Sequence, residues 1–233
     1  DVFHYIWVTS WKDLFAFRIT KEGHLEQVDT SSFLTPGNKI LYEIYKDKDG
    51  KLWVSAFDVE SFIIDIRDYI VQKYPLPDLR NQLKANPAIN SLCKDEDGIF
   101  WFSQDRYGLC IYDSRKEKLK HYSQCQGTRN LPFGDVTNIA RSYNHNWIWA
   151  TSYGPTVFGL SQQNMEMKED VRIELGNVTN NPGLITSLFE DPQNNLWIGT
   201  TTGLFVYRIM SATLESIPEV SGPVAGITQT ADS

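Results

Sequence analysis

The residues of this chain that could do chemistry are scattered, and their spacing excludes most of what they could do together. Four histidines, His4, His24, His121 and His145, fall into no metal-ligand spacing and no nucleophile–base–acid arrangement. Of the three cysteines, Cys93 and Cys110 sit in expected strands, where a thiol behaves as a small buried hydrophobe; with Cys125 they form no close redox or metal pair. Asp58, Glu60 and Asp105 occupy comparable loops, yet no spacing marks two of them as the carboxylate pair of a glycoside hydrolase. Asp47-Lys48-Asp49-Gly50 and Asp95-Glu96-Asp97-Gly98 lack the alternating oxygen ligands and closing Glu of a calcium loop, and their adjacent Asp-Gly does not fit an Asp box. The expectation is therefore no catalytic residue, no metal and no cofactor.

Composition narrows the class further. The formal charge is -7 and the pI about 5.1, which argues against nucleic acid, since phosphate binding needs clustered Lys and Arg. The longest apolar runs have strand length, far short of a bilayer span, so no membrane contact is expected of this segment. At 41% hydrophobic and 13% aromatic, the 233 residues can still build a substantial core.

What positions the loops is a repeat. Trp7, Trp53, Trp101, Trp149 and Trp197 recur at steps of 46, 48, 48 and 48 residues. Each lies in an apolar segment, such as Lys51-Leu52-Trp53-Val54 or Asn195-Leu196-Trp197-Ile198. Upstream of four of them runs an alternating apolar stretch ending in polar turn residues, at 40–46, 89–94, 136–142 and 185–190. Period-two alternation separated by Gly, Asp and Asn turns excludes a helical repeat, and Asp-Gly between such runs is a strong hairpin signal. The third strand ends at residues such as Tyr112 and Tyr207, and a weaker fourth follows at 119–122 and 214–217. Four antiparallel strands in about 48 residues make the blade of an all-β propeller. The expected order is a partial blade lacking its first strand at 1–39, blades at 40–88, 89–135, 136–184 and 185–223, and the first strand of a further blade at 224–233. That is about five blades' worth, out of phase with the chain ends and starting at Asp1, as expected of a segment of a larger propeller. A short helix is expected over 79–85, started by Asp78.

A side chain repeated at one site in every blade serves packing, so the tryptophans read as scaffold. The copies stop agreeing four residues later, where Trp11, Phe57, Asp105, Tyr153 and Thr201 stand in the loop between the second and third strands. Propeller loops of one register gather on one face of the ring, and grafted function lives on loops. Trp11, Phe57, Asp58, Asp105, Arg106, Tyr107 and Tyr153 are therefore the candidate ligand-binding residues. Aromatic faces with a few charged groups suit an oligosaccharide or another small ligand. The competing reading is that these rings plug the hub or meet a partner domain.

The pattern I-x-S-L-x-x-D-x-x-x-x-L-W-I-G-T-x-x-G-L-x-x-Y, tight at 185–208 and looser elsewhere, resembles the regulator-propeller repeat. Departures are Asp13 and Val59-Glu60-Ser61 at the repeat glycine, and Gly154-Pro155-Thr156 for Gly-Leu. The resemblance implies the periplasmic sensor region of a Bacteroides-type hybrid two-component histidine kinase, part of an inner-membrane protein. In that family, two seven-bladed propellers precede an immunoglobulin-like domain, a membrane helix, a kinase core and a response regulator. It further implies homodimerisation of the parent and a non-enzymatic segment that binds or relays a glycan-derived signal. The alternatives are a propeller-fold polysaccharide lyase or glycoside hydrolase, and a non-catalytic protein-interaction scaffold.

Overall fold

The computed structural model describes residues 5–9, 13–30, 41–46, 51–56, 62–65, 70–73, 89–95, 97–104, 108–113, 115–122 and 136–227. Among them the regular structure is strand, apart from one 3-10 turn at Leu175–Asn177. The helix expected over 79–85 lies outside the described residues. The chain divides into two compact units, Asp1–Leu92 and Cys93–Ser233.

The first unit holds a three-stranded sheet of β1 (Tyr5–Thr9), β2 (Leu14–Ile19) and β3 (Leu25–Val28), in that order. A four-stranded sheet follows, built of β4 (Leu41–Lys46), β5 (Lys51–Ala56), β6 (Phe62–Asp65) and β7 (Ile70–Lys73). In the first sheet Trp7 lies opposite Ala16, and Thr9 opposite Leu14. Ala16 and Leu14 are buried, and β1 packs against β4.

The next sheet has the order β11-β10-β9-β8, with β8 (Ile89–Lys94), β9 (Phe100–Gln104), β10 (Gly108–Asp113) and β11 (Lys118–Tyr122); the division between the units falls within β8. Then come β12 (Val136–Arg141), β13 (Ile148–Ser152), β14 (Thr156–Gln163) and β15 (Glu166–Glu174), and finally β16 (Ile185–Glu190), β17 (Asn195–Thr200), β18 (Gly203–Arg208) and β19 (Thr213–Ser221), each set paired in sequence order. Every pairing among the described strands is antiparallel, so each set is a meander and the chain is a β-propeller array of four-stranded blades.

The first strand of three blades carries the same irregularity. Its register slips between Leu41 and Glu43, between Val136 and Asn138, and between Ile185 and Ser187. A bulge at one place in each copy bends and twists the strand there. Within the second unit β12 packs against β9 and against β16, so consecutive blades stack near their first strands. Strands β10 and β13 are buried at every residue, which is why they read as continuous apolar runs with small polar interruptions. Burial pushes the Cys110 thiol far above its ordinary range, so it stays a protonated core group at neutral pH.

The junction between the β12–β15 and β16–β19 blades shows what the repeated tryptophan does. Trp149 is fully buried in one cluster with Leu196, Ile198 and Phe205 of the next blade, together with Val157 and Ile173 of its own. Burying an aromatic side chain of this size contributes roughly 2–3 kcal/mol of apolar transfer free energy. Trp149 also meets Trp147 edge to face at 5.5 Å.

Candidate functional site

In two of the blades the turn is organised by the aspartate that follows the first strand. Asp95 accepts from Ile99 N at 2.9 Å and from the Trp101 indole N–H at 2.8 Å. Gly98 supplies the positive φ of +78° that this tight turn requires. In the last blade Asp191 accepts from Gln193 N and Asn195 N, both 2.9 Å away, and from Trp197 Nε1 at 2.8 Å. There Asn194 takes the left-handed position, at φ 64°, in place of glycine. The carboxylates thus close a hairpin and satisfy the buried indole N–H, the scaffold role expected of these turns.

The two equivalent carboxyls are held on opposite sides of the ordinary range. Burial raises that of Asp95, outweighing its hydrogen bonds from Trp101 and Ile99, and the Asp97 carboxylate raises it further. Burial acts the same way on Asp191, but donors from the Asn195 side chain, Trp197 and two backbone amides outweigh it and bring the carboxyl below its usual range. Asp95 is the more deeply desolvated of the two, and two residues at matched positions add to the difference: Gln193 replaces Asp97, removing a like charge, and Asn195 replaces Ile99, adding a donor.

The β12–β15 blade breaks this rule. Tyr143 stands at its aspartate position and is exposed. The Trp149 indole instead donates to Glu190 Oε2 of the following blade, at 2.6 Å. The same oxygen accepts from Ser142 Oγ at 2.7 Å, while Oε1 accepts from Asn144 N at 3.2 Å and lies 3.5 Å from His145 Nδ1. The His145 ring stacks on Trp147 with centroids 4.2 Å apart. Asn144 Nδ2 reaches on to Pro192 O and Asn194 Oδ1. Glu190 is buried at the centre of this knot, which ties one blade turn to the next and whose contacts all serve the blade junction. Sequence reasoning missed this cluster; its signal was Tyr143 breaking a pattern kept by Asp47, Asp95 and Asp191.

Of the seven candidate ligand residues, the structure describes Tyr153. Trp11, Phe57, Asp58, Asp105, Arg106 and Tyr107 lie outside the described residues. The Tyr153 side chain is 62% exposed, on a loop pinned at both ends. Ser152 Oγ accepts from Gly154 N at 3.4 Å, Pro155 O accepts from Leu175 N at 2.9 Å, and Thr156 Oγ1 donates to Glu174 Oε2 at 2.6 Å. A large ring on a fixed loop loses little conformational freedom when a ligand stacks on it. At the same register in the next blade, Thr201 has a structural task. Its hydroxyl accepts from Leu184 N at 3.0 Å, and Thr202 Oγ1 donates to Asn181 O at 3.2 Å, tying the connection between blades to the loop. Leu184 itself is 49% exposed.

Residues 181–202 match the family model described as two component regulator propeller. No curated protein matches the sequence. Among solved structures, the chain is similar to the extracellular domain of a protein described as a hybrid two component system from B. thetaiotaomicron, at 20% identity and a TM-score of 0.64, over 93% of this chain and 30% of that one. It is also similar to the Cps50 (Swd1) β-propeller domain of Myceliophteria thermophila, at 11% identity and a TM-score of 0.67, over 96% of this chain and 71% of that one. A third likeness is to PorZ, a surface component of the type-IX secretion system of Porphyromonas gingivalis, at 16% identity and a TM-score of 0.61, over 92% of this chain and 32% of that one. At these identities the likeness is one of fold, and the chain spans about a third of the length of the first and third of these structures.

Proposed function

Because its best-preserved blade is a two component regulator propeller repeat, we propose that this chain is an extracytoplasmic, non-enzymatic sensor segment. It takes a glycan-derived ligand on the loops between the second and third strands and relays binding to a histidine kinase elsewhere in a longer, dimeric parent. The match at residues 181–202 carries the sensor reading. The ligand reading is supported by Tyr153, a large ring 62% exposed on a pinned loop, at the register where the sequence also places Trp11, Phe57 and Asp105. An exposed aromatic face beside polar groups suits a sugar, whose C–H face stacks and whose hydroxyls exchange hydrogen bonds. For a relay, the ligand must bind one arrangement of the parent better than another.

Calorimetric titration with a panel of oligosaccharides tests the reading. Binding by the native chain is expected, with loss of at least about tenfold in affinity, roughly 1.4 kcal/mol, in the variant carrying Trp11→Ala and Tyr153→Ala. Unchanged affinity in that variant would sink the site. Appearance of reducing ends or unsaturated sugars during incubation would favour a lyase or hydrolase instead.

A further inference from the structure

The connection between the β12–β15 and β16–β19 blades ties two loops into one surface. Its start is held to the Tyr153 loop, where Leu175 N donates to Pro155 O at 2.9 Å, and Val178 N turns back onto Leu175 O. Its end is held to the loop after β17. There Leu184 N donates to Thr201 Oγ1 at 3.0 Å, and Thr201 N donates to Leu184 O at 2.9 Å. Gly183, at φ +70°, brings the two so close that a Cβ would lie 2.5 Å from Thr201 Oγ1. Tyr153, Val178 and Leu184 are all exposed on this surface. Exposed Asn177 and Asn180 flank Val178-Thr179 in the connection.

Charge sets this surface apart from the rest of the chain. Charged residues make up 22% of the sequence, yet none occurs at 151–165, 175–189 or 192–207, the segments that supply both loops and the connection. At the edge stands Glu174, whose Oε2 accepts from Thr156 Oγ1 at 2.6 Å. The guanidinium of Arg172 is taken up by Glu169 at 2.8 Å and lies 4.0 Å from Glu174. Two carboxylates against one guanidinium leave that edge negative. An anionic ligand would meet no cation on the surface and a like charge at its rim, so its desolvation would go uncompensated. An uncharged ligand needs only the ring and the amides, which donate and accept and so match a hydroxyl in either role.

We propose, resting on the glycan reading above, that this surface is a subsite for an uncharged sugar, a hexose or N-acetylhexosamine unit, and turns away uronic acids and sulfated sugars. The C–H face of the sugar lies on Tyr153, and Asn177 and Asn180 exchange hydrogen bonds with its polar groups. Such a contact holds no ion pair, so its strength is insensitive to salt.

Calorimetric titration with matched hexasaccharides tests this, with cellohexaose, mannohexaose and chitohexaose as neutral arms and hexagalacturonate and a heparin hexasaccharide as acidic ones. A neutral arm is expected to bind, its affinity changing less than about twofold between about 0.05 and 0.5 M salt, while both acidic arms bind at least about tenfold more weakly. Tyr153→Ala should weaken the neutral arm at least about tenfold, and Asn177→Ala with Asn180→Ala about fivefold. Circular dichroism reports that these variants, altered at exposed positions, are folded. An acidic hexasaccharide that binds more tightly than every neutral one, and weakens with salt, overturns the uncharged subsite and leaves the glycan reading standing. Neutral binding that Tyr153→Ala leaves unchanged also overturns the subsite, because the sugar then sits elsewhere on the chain. Absence of binding from every arm overturns the glycan reading and the subsite together.

Discussion

The indole of Trp149 is held by Glu190, at 2.6 Å across a blade junction, whereas the indoles of Trp101 and Trp197 are held by aspartates of their own hairpins. Glu190 also receives the Ser142 hydroxyl, so removing its side chain strands two buried donors. Glu190→Ala should cost about 2–4 kcal/mol of folding free energy, measured by urea denaturation. Placing the missing aspartate, Tyr143→Asp, in the Glu190→Ala background should recover part of that, about 1 kcal/mol, by returning the indole to a local cap. If Tyr143→Asp recovers nothing, the two caps are not interchangeable.

Asp95 and Asp191 should respond to pH with opposite slopes. The Asp191 carboxyl is held below its ordinary range, so its contribution is full above the unfolded value near about pH 4 and is lost as pH falls through the folded value. That of Asp95 is held above, so its contribution is full below about pH 4 and is lost as pH rises through the folded value. The destabilisation by Asp191→Asn should therefore grow as pH rises between about pH 3 and pH 6, while that by Asp95→Asn shrinks. Denaturation midpoints of both variants across that window check the signs, and parallel slopes would contradict the placement of the two carboxyls on opposite sides of the ordinary range.

Gly199, the glycine of the Trp-Ile-Gly-Thr run, is required by close approach. A Cβ there would lie 2.3 Å from Ser187 Oγ and 2.8 Å from Val224 Cγ1. The Val224 segment is held by its N–H to Thr200 O at 2.9 Å and by the Thr186 hydroxyl on its carbonyl. Gly199→Ala should cost about 1–3 kcal/mol, the range for overpacking a close-packed site, and should raise amide exchange at Val224. Exchange at Val224 equal to that of the native chain would show that Ser187 alone gives way.

The sequence by itself determined the scaffold. A period of 48 residues, alternation within strands and Asp-Gly turns are local properties, because side-chain direction in a strand and positive φ in a turn follow from backbone sterics alone. They locate the strands and the tryptophan register, and they mark Asp95 as a turn residue. Only the tertiary structure decided which partner each buried polar group takes. Trp149 and Glu190 lie 41 residues apart, and nothing near either names the other. The departure at Tyr143 was visible, but its meaning required the neighbouring blade. Strand pattern is written into each residue's own backbone and alternation, whereas the partner of a blade face is fixed by packing between elements that the local sequence does not encode.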